Sequence, residues 1–137
     1  MPELVAGATL PVLIRAVTQE KIHRYAEASG DHNPIHVDED YARRTPLGGT
    51  IAHGMLVLAY ASQAMAAAFG RDWLVSGRLD VRFRAPARPG DSLTVTGTVR
   101  GVDRADEGDD VTCDLLCCNQ AGETVLSGLA EVRVRHR

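Results

Sequence analysis

The sequence carries no surplus of positive charge, no paired-cysteine framework, no internal repeat, no low-complexity tract and no linker. Fifteen Lys and Arg against 18 Asp and Glu leave a net charge of −3 and a pI near 5.9. That balance argues against nucleic acid as a partner, since a basic face would be needed. Three cysteines, Cys113, Cys117 and Cys118, form an odd set without Cys-x-x-Cys spacing. They read as small buried hydrophobes rather than metal ligands. Met1–Gly7 holds Glu3 and no basic residue, so no secretory signal is expected and a cytoplasmic location follows by default. With no divider along the chain, residues 1–137 are expected to form one domain, and 45% hydrophobic residues suffice for its core.

The coarse pattern begins with a strand over Thr9–Val17, rich in Val, Ile and Leu. Thr18 is a plausible N-cap for a helix with Ile22, Tyr25 and Ala26 at helical spacing, stopped at Ser29-Gly30. Asp31 to Gly49 is polar and turn-rich, with room for one short helix capped by Asp38. Ala52–Phe69 is apolar on every face. A helix of that kind either spans a membrane or is wrapped by protein. His53, Ser62 and Gln63 interrupt it, many of its residues are Ala, and basic anchors are lacking at its start. A buried central helix is the better reading.

After Gly70 the sequence turns strand-like, over Ser76–Ala85, Ser92–Val102, Asp110–Cys118 and Thr124–Arg135. Arg78, Asp80, Arg82 and Arg84 alternate with Leu79, Val81 and Phe83. Such alternation marks antiparallel strands packed on one face. The same period places Cys113, Leu115 and Cys117 on one side and Cys118 on the other. The expected class is α+β, an antiparallel sheet wrapped around one long apolar helix.

The chemistry concentrates in Tyr25-Ala26-Glu27-Ala28-Ser29-Gly30-Asp31-His32-Asn33-Pro34-Ile35-His36, followed by Ile51-Ala52-His53-Gly54-Met55. Taken alone, Asp-x-Asn-Pro is an ordinary turn, because Asp and Asn bond nearby backbone and Pro fixes a dihedral. The Gly54 N–H, at a helix start, is suited to an anion by its missing partner and by the helix dipole. A glycine there also allows tight helix–sheet packing, so both readings stand.

The two segments together resemble the signature of the MaoC-like dehydratases, also called (R)-specific enoyl-CoA hydratases. That pattern is an aromatic residue, Ser-Gly-Asp-x-Asn-Pro-Ile/Leu-His, then His-Gly-Met at the start of the central helix. The resemblance implies a hot-dog fold, a homodimer pairing its sheets, and reversible hydration of trans-2-enoyl thioesters to (R)-3-hydroxyacyl thioesters. It implies Asp31 and His36 as the proton-transfer pair around one water, and Gly54 N–H as donor to the thioester oxygen. Asn33 would support the water or the loop. His53 would cap the helix or shape the pocket, and Ser62, two turns beyond Gly54, would help position catalytic groups or bond its own helix. No cofactor or metal is implied, although Asp31, His36 and Asp38 are conceivable ligands. The thioester would be carried on coenzyme A or an acyl carrier protein, and no membrane partner is expected. Arg82, Arg84 and Arg88 either meet carrier phosphates or form a solvated face.

Two other functions fit a hot-dog chain. A thioesterase would usually place an acidic residue on or beside the central helix, whereas Ile51–Phe69 has no Asp or Glu. A non-catalytic acyl-binding subunit of a heterodimer would be free to lose Asp31 or His36, and both remain.

Overall fold

Alternating apolar residues in the second half of the chain form the sheet. The computed structural model describes residues 4–136. Met1–Glu3, part of the stretch read as lacking a signal, and Arg137 lie outside the described residues. The strands are β1 (Leu13–Ala16), β2 (Arg78–Phe83), β3 (Ser92–Arg104), β4 (Gly108–Cys118) and β5 (Thr124–Arg135). They form one antiparallel sheet in the order β1-β3-β4-β5-β2. The helices are α1 (Gln19–Ser29), α2 (Pro34–Val37), α3 (Glu39–Arg43), α4 (Gly54–Phe69) and α5 (Arg71–Ser76).

Helix α4 packs across the sheet, touching β1, β3 and β5. Its Val57, Ala61, Ala64 and Met65 are buried in a core with Val95, Val99, Val111, Cys113, Leu115 and Cys117. Burying a Val, Leu or Met side chain contributes about 1.5–3 kcal/mol, so this layer, rather than any surface pair, holds the fold. Burial also pushes the Cys113 and Cys117 thiols up to about 11, keeping them protonated and inert as small hydrophobes. The helix is wrapped on most sides but not all. Met55, Ala59, Gln63 and Ala67, four apart, form an exposed stripe.

Several local expectations need correction. The first strand shrinks from Thr9–Val17 to Leu13–Ala16 plus a lone bridge between Thr9 and Thr98. Pro11 has no N–H to give, so the ladder breaks beside it. The polar stretch holds two short helices, not one. Asp38 caps α3 as expected, and Asn33 caps α2 with Pro34 in its first turn. Residues 71–76 form α5, a short helix ahead of β2 in place of the start of a strand. Strands β3 and β4 run further than expected, with Arg104 paired to Asp109, which shortens the turn between them. Phe83 does not share the burial of Leu79 and Val81. It is 52% exposed, on a strand whose only partner among the described residues is β5.

Candidate active site

The turn after α1 is built by polar side chains bonding the backbone just ahead of or behind them. Gly30 adopts φ 79°, a left-handed conformation that stops the helix. Ser29 Oγ donates to the Tyr25 carbonyl at 2.7 Å and accepts from Asp31 N–H at 3.2 Å. Asp31 Oδ1 accepts from Asn33 N–H, and Asn33 Oδ1 from Ile35 N–H, each at 3.1 Å. Pro34 adds its fixed φ at the start of α2, where a missing N–H costs nothing. Thus the turn chemistry and the site chemistry use the same residues.

Helix α2 then presents His36, which is half-buried. His36 Nδ1 lies 2.8 Å from the Ile51 carbonyl. A carbonyl only accepts, so Nδ1 carries the proton and a neutral ring leaves Nε2 bare, as a base requires. The segment before α4 is tied to the same turn. Ile51 N–H donates to the Ile35 carbonyl at 3.2 Å. Gln19 donates to the His36 carbonyl at 2.8 Å and accepts from Thr50 Oγ at 2.7 Å. Two stretches distant in sequence are thereby stitched into one frame.

His53 is 2% exposed and sits beneath this frame. Its Nε2 donates to the Asp31 backbone carbonyl at 3.0 Å. Its ring stacks on His36, with centroids 3.9 Å apart and planes at 25°, and meets Tyr25 at 4.8 Å and 51°. It occupies the N-cap position of α4 but makes no side-chain capping bond, which corrects the capping alternative. Its Nδ1 is buried without a partner, an arrangement that costs about 1–3 kcal/mol.

One carboxylate oxygen of Asp31 and one ring nitrogen each of His36 and His53 all lie within 4.8 Å of one another. Two hydrogen bonds in line span about 5.6 Å, so the gap between carboxylate and imidazole is one a single water can bridge. As metal ligands the two rings would have to use the nitrogens not already given to carbonyls. Asp38 is occupied at Tyr41 N–H, at 3.1 Å.

Gly54 opens α4. The His53 carbonyl takes the Leu56 and Val57 N–H groups, whereas Gly54 N–H has no acceptor among the described residues. Tight packing does not explain this glycine. The atoms nearest a Cβ there would be those of the Phe83 ring, at 3.4 Å, an ordinary contact, whereas at Gly128 a Cβ would fall 2.2 Å from the Asp80 carbonyl oxygen. An open groove of about 350 Å³ runs beside Gly54, lined by Ile51, Val57, Phe83, Pro86 and Val125.

Asp31, His36, Asn33, His53 and Gly54 therefore belong to one region. Ser62 does not join it. It lies about 12 Å along α4 from Gly54, and its Oγ accepts from Trp73 Nε1 at 2.9 Å. Sequence reasoning missed Gln19, Thr50 and the Ile51 carbonyl. Gln19 and Thr50 carry no motif, and a backbone carbonyl has no residue-type signal at all. Of the arginines weighed for carrier phosphates, Arg84 donates to Ser127 Oγ at 3.1 Å, and Arg82 is exposed.

A family model described as the MaoC like domain matches residues 7–118. An (R)-specific enoyl-CoA hydratase of Rhodospirillum rubrum is 35% identical over 91% of this chain and 85% of its own length. A 3-hydroxybutyryl-CoA dehydratase of Methylorubrum extorquens is 32% identical over 96% and 82%. Among solved structures, an unliganded R-hydratase of Pseudomonas aeruginosa superposes with a TM-score of 0.84 at 29% identity, over 98% of this chain and 84% of that one. The antiparallel sheet packed on α4 is the hot-dog fold of these neighbours, and the chain belongs to the MaoC-like dehydratase family.

Proposed function

We propose that the protein catalyses the reversible hydration of trans-2-enoyl thioesters to (R)-3-hydroxyacyl thioesters. The observation that carries the reading is the convergence of the Asp31 carboxylate and the His36 ring within 4.8 Å, with the free Gly54 N–H at the adjoining helix start. A water held between Asp31 and His36 loses a proton to the pair as its oxygen bonds to carbon 3. The C2–C3 π electrons shift toward the thioester carbonyl, whose oxygen takes the Gly54 N–H. The pair then returns a proton to carbon 2, so the elements of one water are added and nothing is oxidised. Preorganised donors at a developing oxyanion are worth more than in water because they need no reorganisation. Asn33 keeps the Asp31 turn in shape and transfers no proton.

The Ile51 carbonyl sets the His36 tautomer, and the Gln19–Thr50 link holds α2 against the segment that carries it. Ser62, tied to Trp73, acts only through the packing of α4. The steps above call on no metal or cofactor. The thioester is carried on coenzyme A or an acyl carrier protein, and the apolar groove beside Gly54 suits the acyl chain. The chain works as a homodimer, for which the edge strand β2 offers unpaired backbone and the exposed Phe83 an apolar contact.

The decisive test is turnover of crotonyl-CoA with chiral analysis of the product. Loss of enoyl absorbance with formation of the (R)-3-hydroxy thioester is expected. An (S)-product, or release of free thiol from a saturated acyl-CoA, overturns the reading, the latter in favour of a thioesterase. Absence of turnover with both carriers favours a non-catalytic acyl-binding subunit.

A further inference from the structure

The residue least explained by packing is His53. It is 2% exposed, and its Nδ1 is buried with no hydrogen-bond partner. It stands at the N-cap of α4 without capping it. Its ring stacks on that of His36 and meets that of Tyr25 at a tilt, a slot that a phenyl ring would fill without leaving a polar atom stranded. The fold by itself does not ask for an imidazole here.

What an imidazole adds is one N–H. His53 Nε2 donates to the backbone carbonyl of Asp31, 3.0 Å away and 22 residues earlier in the chain, while the same ring lies flat against His36 at 3.9 Å. No other side chain among the described residues touches both members of the pair in this way. Among the described residues, the Asp31 side is otherwise held only by bonds inside its own turn, one donated to Ser29 Oγ and one accepted from Asn33 N–H. His36 is held from the other side, by Ile51 and Gln19. The two halves of the site meet through His53.

We infer that His53 is a positioning residue that fixes the Asp31 carboxylate relative to the His36 ring, through an Nε2–H bond to the Asp31 carbonyl and a stacked face against His36. The inference rests on the hydratase reading given above. A single imidazole ring serves both contacts, and it must be the neutral Nε2–H tautomer, which leaves Nδ1 bare. The stranded Nδ1 follows from that requirement. A carboxylate and an imidazole that share one water tolerate little drift, because a misplacement of about 1 Å can lower a rate about 100-fold.

The test compares His53→Phe and His53→Gln with the wild type on crotonyl-CoA, alongside thermal melting. Phe keeps the ring and removes the N–H. Gln places an amide N–H near the Nε2 position and removes the ring. His53→Phe is expected to lower kcat about 100-fold with KM within about twofold, and to leave Tm equal or higher, since the stranded nitrogen is gone. His53→Gln is expected to recover kcat to within about tenfold of wild type. A His53→Phe enzyme within about threefold of wild type overturns the inference, as does His53→Gln no faster than His53→Phe. Nitrogen-15 NMR of the wild-type imidazoles keeps the test independent of variant folding. A bare Nδ1 and a protonated Nε2 at His53 are expected, and the opposite tautomer or a doubly protonated ring overturns it. Wild-type protein without turnover overturns the hydratase reading itself, and this inference with it. A working wild type beside an unaffected His53→Phe overturns the inference alone.

Discussion

Two histidine clusters lie in different parts of the molecule and differ in whether a carboxylate bonds the ring, since His136 meets the Asp106 carbonyl at 3.1 Å as well as Asp109. At the turn after α1, His36 and His53 each give an N–H to a backbone carbonyl, Ile51 and Asp31 respectively. At the far end of the sheet, His136 Nε2 meets the Asp109 carboxylate at 3.0 Å, and Arg104 meets the same carboxylate at 2.7 Å. A carbonyl fixes which nitrogen holds the proton without committing the ring to a charge. A carboxylate commits it, and the bond to Asp109 raises the His136 pKa above its ordinary 6.5, while His136 and Arg104 lower that of Asp109. The first arrangement fixes the tautomer of each ring. The second makes an ion pair that ties the end of β5 to the β3–β4 hairpin.

The sharpest way to break this comparison is to disable each cluster and ask whether rate or stability responds. Asp31→Asn and His36→Ala are each expected to cut crotonyl-CoA hydration about 1,000-fold or more. Melting temperatures should stay near wild type. Rates close to wild type in either variant would sink the assignment of the pair.

Gly54→Pro comes next in size, because it removes the proposed oxyanion donor while suiting the first turn of a helix. His53 already has φ −60° and ψ 137°, the extended conformation a residue before proline prefers. A fall in kcat of about 100-fold is expected. Gly54→Ala keeps the N–H and comes no nearer than 3.4 Å to its nearest neighbour, Phe83, so it should stay within about tenfold of wild type. Equal damage from both substitutions would point to crowding of the site instead.

Substitutions at the far cluster should do the reverse. Asp109→Asn is expected to lower Tm by about 3 °C with kcat unchanged, and a change in kcat would refute the division between the clusters. The smallest effect is on pH dependence. A histidine whose pKa is raised on folding contributes stability below its unfolded value, and loses it as pH rises through the folded value. A carboxylate whose pKa is lowered contributes above its unfolded value, and loses it as pH falls through the folded one. The pair therefore stabilises most between the ordinary values of 3.8 and 6.5. The Tm difference between wild type and His136→Ala should be widest in that interval and shrink as pH rises through the raised His136 value. A difference that grows at alkaline pH would falsify the ion-pair account.

Much of this was legible from residue order because the signals are local. Period-two alternation located β3, β4 and β5 and put Cys113 and Cys117 in the core. Thr18 and Gly30 bound α1 as expected. The short helices α2 and α5 escaped because four and six residues are too few to show a period, although Asn33-Pro34 carried a capping signal. Phe83 misled because alternation tells which residues share a face of a strand, not whether anything covers that face.

The sequence by itself determined the turn, since Ser29, Gly30, Asp31, Asn33 and Pro34 act on backbone within a few residues of themselves. It also determined the apolar helix and the free N–H at its first residue. Only the tertiary structure decided the tautomer of His36, set by a carbonyl 15 residues away, and the stacking of His53 beneath it. It alone decided that Ser62 belongs to Trp73. Hydrogen bonds to backbone carbonyls and ring stacks across long loops depend on where the chain returns, and residue identity does not encode that.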